Sequence, residues 1–191
     1  MEEPVSRYYD KQLEREVVKV PPGEYYSTST DLAMVTVLGS CVSACLWDTR
    51  RRIGGMNHFM LPGAGDSARL GIYAMEVLIN RMLNSGAERG SLVAKVFGGA
   101  NVLEGMETLN IGSRNAAFVL EFLAEERIPI VAQDLEDLYP RKVAFFPASG
   151  RALVKRLQAL RDDGLRREER DYLAKLQRRG AGEIEIFRRR K

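Results

Sequence analysis

The segment VTVLGSCVSACLWDTRRRIGGMNHFMLP, from Val35 to Pro62, contains the clearest strand signals of the chain and decides its fold. MVTVL is a short β-branched run, and CVSACLW is apolar on both of its alternating faces. GGMNHFML follows after a DTRR turn, and in this third run Met56, His58 and Met60 share one face. We therefore predict three consecutive strands, the second covered on both sides.

Helices and further strands are predicted after this segment. Apolar residues recur at helical spacing from Ala68 to Leu83, with Asp66 or Ser67 as a cap and Gly86 at the end. SRNAAFVLEFLAEER predicts a second amphipathic helix with Ser113 as its candidate cap. SLVAKVFGGA, IPIVAQDL, RKVAFFP and GRALVKRL read as strands. Mixed strands with two good helices predict an α+β layered domain.

The two ends of the chain give weaker signals. Residues 19–31 are predicted to be a turn-rich lead-in, and EIEIF near the C-terminus a short closing strand. Residues 162–179 predict a thin, charge-rich third helix. The narrow apolar stripe of this helix consists of Leu165, Tyr172, Leu173 and Leu176.

Composition and charge limit the classes of protein to which the chain can belong. The 191 residues are enough for one domain, and 45% apolar with 29% charged residues is typical of a globular protein. No apolar run is long enough to cross a bilayer, and the charged N-terminus has no signal core, so we expect a cytoplasmic protein with reduced cysteines. Residues 151–191 carry 14 Lys and Arg against 7 Asp and Glu. This basic end could meet nucleic acid, an acidic protein surface or lipid, but a solvated helix face is the favoured interpretation.

The opening segment also holds both cysteines and the only histidine of the chain. Cys41 follows Gly39 and Ser40, and a turn of this kind can direct backbone N–H groups at one point, as an oxyanion site requires. A neighbouring imidazole can take the thiol proton, and His58 is the only one available. Thr36, Ser40, Asn57 or a backbone carbonyl could orient its ring.

Interpretations in which these residues have no catalytic role compete with this one. Cys45, followed by Leu46 and Trp47, is expected to be a small buried hydrophobe. A metal site is disfavoured because C-x3-C is not a usual zinc spacing, and an extended strand would hold Cys41 and Cys45 too far apart for a disulfide. The residues alone leave an acyl-transfer enzyme and a binding domain with an inert thiol as alternatives.

Five motifs in order resemble one known family. LGSCVSACLWD, GGMNHFMLP, KVFGGANVL, NIGSRN and YPRKVAFFP are similar to the chemoreceptor glutamine deamidases named CheD, over roughly Tyr25 to Leu157. The resemblance implies a cytoplasmic enzyme that hydrolyses glutamine side chains of methyl-accepting chemotaxis receptors to glutamate and ammonia. The implied fold is a layered α/β/β sandwich with mixed sheets and two main helices on one face. It implies no metal and no organic cofactor.

The resemblance also assigns residues, partners and boundaries. Cys41 is the implied nucleophile and His58 the implied base, with Gly39 and Ser40 as backbone support for the oxyanion. The family's third catalytic residue is a threonine six positions before the cysteine, and Val35 stands there. Thr36, five positions before, points to the opposite face of an extended strand. Either the strand has a bulge, or Thr36 takes the role in another register, or a backbone carbonyl orients His58, and Thr36 is the candidate that we name. A CheC-type phosphatase is an implied second partner of some relatives, whereas nucleic acid and membrane insertion are not expected. The implied division is an N-terminal extension (1–24), a deamidase domain (25–160) and a basic C-terminal extension (161–191).

The shape of the site and the alternative functions can also be predicted. We expect Cys41 and His58 to touch beside an open groove rather than a deep pocket. Gly54, Gly55, Gly98 and Gly99 are candidates for close backbone approach, although turns alone would explain them as well. A transglutaminase-like acyl transferase and a non-catalytic regulator that binds a receptor or phosphatase remain the alternative functions.

Overall fold

The computed structural model describes residues 6–61, 67–101, 110–158 and 163–180. Its strands are β1 (Arg7–Asp10), β2 (Arg15–Lys19), β3 (Tyr25–Thr28), β4 (Ala33–Leu38), β5 (Val42–Asp48), β6 (Gly54–Asn57), β7 (Leu92–Gly98), β8 (Ile130–Leu135), β9 (Arg141–Phe146) and β10 (Arg151–Arg156). Its helices are α1 (Ser67–Asn84), α2 (Ile111–Glu125) and α3 (Asp163–Gly180), with a short 3₁₀ turn at Arg89–Ser91.

The strands form two mixed five-stranded sheets. The first sheet has the order β1-β2-β4-β9-β10 and the second the order β3-β6-β5-β7-β8. Each contains a single parallel pair, β2 with β4 and β7 with β8, among antiparallel neighbours. Along the described strands the chain passes between the two sheets four times, after β2, β3, β4 and β8.

Two apolar layers hold the sheets and helices together. One lies between the second sheet and α1 and α2, and it includes Val42, Phe59 and Leu78. The other lies between the two sheets, where Cys45 and Met56 of the second sheet meet residues such as Met34 and Phe145 of the first. The order helix, sheet, sheet confirms the predicted α+β class and α/β/β layering. Both faces of β5 are buried, as its sequence predicts.

Several local predictions are corrected or sharpened. Residues 19–31 contain β3, so this stretch is not only a turn-rich lead-in. Ser113 is not the cap of α2, because the helix begins at Ile111 and Asn110 precedes it with φ 42°. Gly86 ends α1 with φ 97°, as predicted. Asp66, the Ser67 side chain and the EIEIF segment lie outside the described residues and side chains.

The predicted extensions contribute to the packed structure. Within residues 1–24, β1 and β2 join the first sheet, and Val17 and Val18 are fully buried. Within residues 161–191, α3 buries Leu165, Leu173 and Leu176 of the predicted apolar stripe. None of the helices in the described ranges is long and apolar enough to cross a membrane.

Candidate active site

The turn Gly39–Ser40–Cys41 connects the two sheets. It follows the last residue of β4 in the first sheet and precedes the first residue of β5 in the second. The N–H of Gly99 donates to the Cys41 carbonyl at 2.7 Å, and the N–H of Ala100 donates to the Gly39 carbonyl at 2.8 Å. The carbonyls of Gly39 and Cys41 are therefore held by the two residues that directly follow β7.

Glycine is required next to this turn. Gly98 has φ 108°, and a Cβ at this position would overlap the Cys41 carbonyl oxygen. A Cβ at Gly99 would lie 2.8 Å from the Gly112 carbonyl oxygen, and those at Gly54 and Gly55 would lie 2.7 Å from Pro147 and Leu78 atoms, respectively. These close contacts are all made to other parts of this chain, so an approach of the substrate backbone at the four glycines stays a prediction.

His58 lies on the same face of the second sheet as Cys41. Val42 and Phe59 form an antiparallel bridge, with both N–H···O distances at 2.9 Å. Their neighbours Cys41 and His58 are thus diagonal to one another and face the space between the sheets. Among the described residues no hydrogen bond joins the Cys41 thiol to His58 Nε2, so the predicted contact between the two side chains stays a prediction. The His58 backbone is fixed on its other edge by Gly23, whose N–H donates to the His58 carbonyl at 2.7 Å.

A threonine and a carbonyl orient the His58 ring. Thr36 Oγ1 lies 2.8 Å from His58 Nδ1 and 2.7 Å from the Val20 carbonyl oxygen. A carbonyl can only accept, so the single hydroxyl hydrogen goes to Val20 and the threonine oxygen accepts from Nδ1–H. This leaves Nε2 as the basic nitrogen of the neutral ring. Nε2 is buried and has no hydrogen-bond partner among the described residues.

Val35 and Thr36 point to opposite faces of β4, and Thr36 is the one that meets His58. Val35 packs on the outer face of the first sheet with Val17 and Phe146, whereas Thr36 faces the second sheet. Alternation along a strand does not relate Thr36 to Cys41, because β4 ends at Leu38 and the connecting turn intervenes. Asn57 does not orient His58: its side chain accepts from the Ala44 N–H and donates to the Ala74 carbonyl, on the opposite face of the sheet.

A carboxylate from α3 accepts the N–H groups of the turn. Glu169 Oε1 accepts from Gly39 N at 2.9 Å and Cys41 N at 3.1 Å. Oε2 accepts from Ser40 N at 3.0 Å and Ser40 Oγ at 2.8 Å. Glu169 is fully buried on a helix whose other charged residues are mostly exposed. The sequence analysis missed this residue, although its spacing of four from both Leu165 and Leu173 places it in the apolar stripe.

Burial of the site differs from the open groove expected from the sequence. Cys41 has no exposed surface and His58 retains 2%. Burial, then the negative charge of Glu169 and the hydrogen bond of the thiol to it, raise the pKa of Cys41 well above its usual value. Burial lowers the pKa of His58 to about 4. Cys41 and His58 are therefore both neutral near pH 7 in this conformation.

Asn115 of α2 is a second functional candidate that the sequence analysis did not single out. Its Nδ2 donates to the Ser40 carbonyl at 2.7 Å, and its Oδ1 accepts from the Leu61 N–H at 2.8 Å. The side chain is fully buried. One residue thus joins the turn before Cys41 to the segment after His58, and the NIGSRN motif that contains it was the available signal.

The second cysteine is a packed residue of the core. Cys45 is 1% exposed in the apolar layer between the sheets, opposite Met56. Burial raises its pKa to about 12. Both cysteines are free thiols, as expected, and only Cys41 adjoins a turn of converging N–H groups.

The fold and the site together define a class. A cysteine at a turn rich in directed N–H groups, beside a histidine oriented by a third side chain, is typical of enzymes that transfer acyl groups through a thiol. The family model described as CheD chemotactic sensory transduction matches residues 60–156. The chain belongs to this CheD family.

Curated relatives extend the match to nearly the whole chain. A "Probable chemoreceptor glutamine deamidase CheD" from Janthinobacterium sp. (strain Marseille) is 53% identical over 189 residues, which cover 94% of this chain and 93% of the relative. A protein of the same name from Methylobacillus flagellatus is 52% identical over 190 residues, 94% of each chain. The solved structure of the Bacillus licheniformis hypothetical protein YfiH is only distantly similar, with a TM-score of 0.38 and 17% identity over 58% of this chain and 49% of that one.

Proposed function

We propose that this protein hydrolyses glutamine side-chain amides of methyl-accepting chemotaxis receptors to glutamate and ammonia. Family membership and the names of the relatives supply the substrate class. The observation that carries the chemistry is the turn at Cys41, where three consecutive N–H groups converge on a carboxylate beside the thiol. A site that binds a carboxylate in this way also suits the oxyanion formed from an amide.

Cys41 is the nucleophile and His58 is the base in this proposal. His58 Nε2 accepts the thiol proton while Cys41 Sγ forms a bond to the amide carbon of the substrate. The basic tautomer follows from the hydrogen bond between Nδ1 and Thr36. Thr36 acts as a positioning residue, because it holds the ring and stabilises the imidazolium without touching the substrate.

The remaining steps need only ammonia to leave and water to enter. The N–H groups of Gly39 and Cys41, which share one oxygen of Glu169, bind the oxyanion of the tetrahedral intermediate, and the Ser40 N–H lies at the position of the second oxygen. The carbon–nitrogen bond then breaks, and the His58 imidazolium protonates the departing ammonia. Water, deprotonated by His58, attacks the thioester and returns the thiol to Cys41. The net reaction consumes one amide and one water and yields one carboxylic acid and one ammonia.

The signalling effect is electrostatic. Each turnover replaces a neutral amide with a carboxylate on a helical receptor bundle, where like charges repel and where the new glutamate becomes a methylation site. A change of about 1–3 kcal/mol is enough to bias a two-state protein. We place this reaction in the cytoplasm. A CheC-type phosphatase is a further proposed partner, which binding measurements with the purified phosphatase would test.

Mass spectrometry of a receptor cytoplasmic fragment tests the proposed function. With wild-type protein, specific glutamines of the fragment should show the mass increase of an amide converted to an acid. With Cys41→Ala they should show none. Cys45→Ala is the matched control, because it removes the other buried thiol and should retain activity. Deamidation by Cys41→Ala would overturn the assigned nucleophile.

The same experiment separates the alternative functions. A transglutaminase-like enzyme would incorporate an added primary amine at the same glutamines, because both reactions pass through a thioester. A non-catalytic regulator would bind the fragment without releasing ammonia. The complete burial of Cys41 favours testing this last alternative directly.

A further inference from the structure

The carboxylate of Glu169 has the chemistry of the reaction product. Hydrolysis of a glutamine side chain yields the same group that Glu169 carries. Its two oxygens accept four hydrogen bonds from Gly39, Ser40 and Cys41. A buried carboxylate is costly unless its hydrogen bonds are satisfied, and here both oxygens are satisfied. The turn therefore forms a built site for a glutamate side chain, and α3 fills it.

The position of α3 blocks the reaction. The N–H groups assigned to the oxyanion are all engaged by Glu169, so a substrate amide cannot use them at the same time. The Cys41 thiol is completely covered. The negative charge of Glu169 and its hydrogen bond to the thiol oppose formation of the thiolate nucleophile. The described conformation therefore has no N–H group of the turn free for a substrate amide.

Apolar contacts seat the helix on both sides of Glu169. Leu165 and Leu173 lie one turn before and one turn after it, and both are buried. Tyr172 reaches the other half of the site, where a Cβ at Gly23 would lie 3.0 Å from its ring. Gly23 is the residue whose N–H holds the His58 carbonyl. The helix therefore lies across the site, from the Cys41 turn to the segment that fixes His58.

We propose that α3 is an internal product mimic, which occupies the substrate groove and leaves it during turnover. The proposal rests on the proposed function, since it identifies the glutamate of α3 with the product of that reaction. It also specifies the substrate. A target glutamine lies on a helix in the position of Glu169, with apolar residues four positions before and after it, as Leu165 and Leu173 lie here. Such a helix and α3 compete for one groove.

Thiol alkylation in the full chain tests whether α3 covers Cys41 reversibly. The variants are Glu169→Ala and Glu168→Ala, which remove the same charge from adjacent positions of one helix, the second exposed. The charge of Glu168 also raises the pKa of Cys41, so Glu168→Ala reports the loss of a nearby anion without removal of the carboxylate from the turn. Iodoacetamide labelling of each cysteine is followed by peptide mass spectrometry. We expect Cys41 to react at least about tenfold faster in Glu169→Ala than in wild type or Glu168→Ala, because the thiol gains access and loses an adjacent anion.

Cys45 reports unfolding within the same experiment. It should stay unreactive in all three proteins, because it lies in the layer between the sheets. An unchanged rate at Cys41, or parallel acceleration of Cys41 and Cys45, would overturn the proposal. The second outcome would show that Glu169 only supports the fold.

Receptor deamidation by the same variants separates this proposal from the proposed function. Glu169→Ala should raise kcat/KM above the values of wild type and Glu168→Ala, because the internal competitor is weakened. A fall in kcat/KM with exposed Cys41 would place Glu169 in the catalytic machinery and overturn the proposal. Suppose that none of the three proteins deamidates the fragment, while Cys41 but not Cys45 becomes reactive in Glu169→Ala. The proposed function then fails, and the reversible cover of α3 over Cys41 stands.

Discussion

The hydroxyl of Thr36 lies 2.8 Å from Nδ1 of His58 and joins strand β4 of the first sheet to the histidine of the second. The same hydroxyl donates to the Val20 carbonyl at 2.7 Å, so its direction is fixed. The Val20 carbonyl also lies 3.3 Å from Nδ1. The ring is therefore held by two acceptors on one side, and its tautomer leaves Nε2 basic.

Thr36→Val should lower kcat by roughly ten- to a hundredfold with little change in KM, because the ring loses its better acceptor but keeps the Val20 carbonyl. Thr36→Ser restores the hydroxyl and should recover most of the rate. The measurement is the deamidation rate of a receptor fragment over a range of pH. A Thr36→Val protein with full kcat would remove this residue from the mechanism.

The stability of the protein should depend on pH through His58, the only histidine of the chain. Its pKa is lowered from 6.5 to about 4 in the folded protein, because burial disfavours the charged ring. Above pH 6.5 both states are neutral and the stability is fully present. As pH falls towards 4 the unfolded chain takes up a proton that the folded protein refuses, so the free energy of unfolding falls by about 1.4 kcal/mol per pH unit, on the order of 3 kcal/mol in total.

Urea unfolding at several pH values measures this slope. His58→Gln should flatten it, whatever the variant does to the absolute stability. The carboxyls of Asp10, Asp48 and Asp137 have pKa values lowered from 3.8, so their linkage to stability lies below this window. A slope that persists unchanged in His58→Gln would assign the pH dependence to other groups.

Gly98→Ala should destabilise the protein by more than about 3 kcal/mol, because the added Cβ overlaps the Cys41 carbonyl at a φ of 108° that disfavours alanine. Gly90→Ala is the matched control. No atom lies within 4 Å of a Cβ at Gly90, so its effect should stay within about 0.5 kcal/mol. Equal urea midpoints for the two variants would contradict the requirement for glycine next to the turn.

The sequence predicts most of the fold because its signals are local. The segment from Val35 to Pro62 has strand periodicity throughout, and α1 and α2 have wide apolar faces. β3 was missed because Pro21, Pro22 and Gly23 precede it and suggest turns, while its pairing with β6 is made across about 30 residues of sequence. The cap of α2 was misplaced because Asn110 adopts a left-handed conformation that propensity does not reveal.

Only part of the site could be predicted from the sequence, again because sequence signals are local. Cys41, His58 and Thr36 are close in sequence and carry distinctive chemistry, so motif and resemblance bring them together. Glu169 is 128 residues from Cys41, and in a charge-rich helix one glutamate resembles the others. Only the tertiary placement of α3 shows that this carboxylate is buried. The exposed groove expected from the sequence is closed for the same reason.

The Glu169→Gln variant should give a result that is not expected if Glu169 only stabilises the fold or if Cys41 is unreactive. The substitution places a primary amide beside Cys41, where the thiol contacts the present carboxylate. Oε1 can still accept from Gly39 N and Cys41 N, and Ser40 Oγ can accept from the new NH2, whereas the Ser40 N–H loses its acceptor. If α3 mimics the product, the variant presents an internal substrate. We expect the amide at position 169 to be hydrolysed to glutamate with first-order kinetics that do not depend on protein concentration.

Peptide mass spectrometry of the purified variant over time measures this conversion. Gln177 lies on the exposed side of the same helix and reports spontaneous deamidation, so it should remain an amide. The double variant Cys41→Ala/Glu169→Gln should also keep its amide, because no thioester can form. An amide at position 169 that persists while Cys41 stays protected from alkylation would show that α3 seats a glutamine without hydrolysis, and the product-mimic assignment would then be wrong. Conversion that requires Cys41 would place the substrate amide, the nucleophile and the three N–H groups in one reactive arrangement.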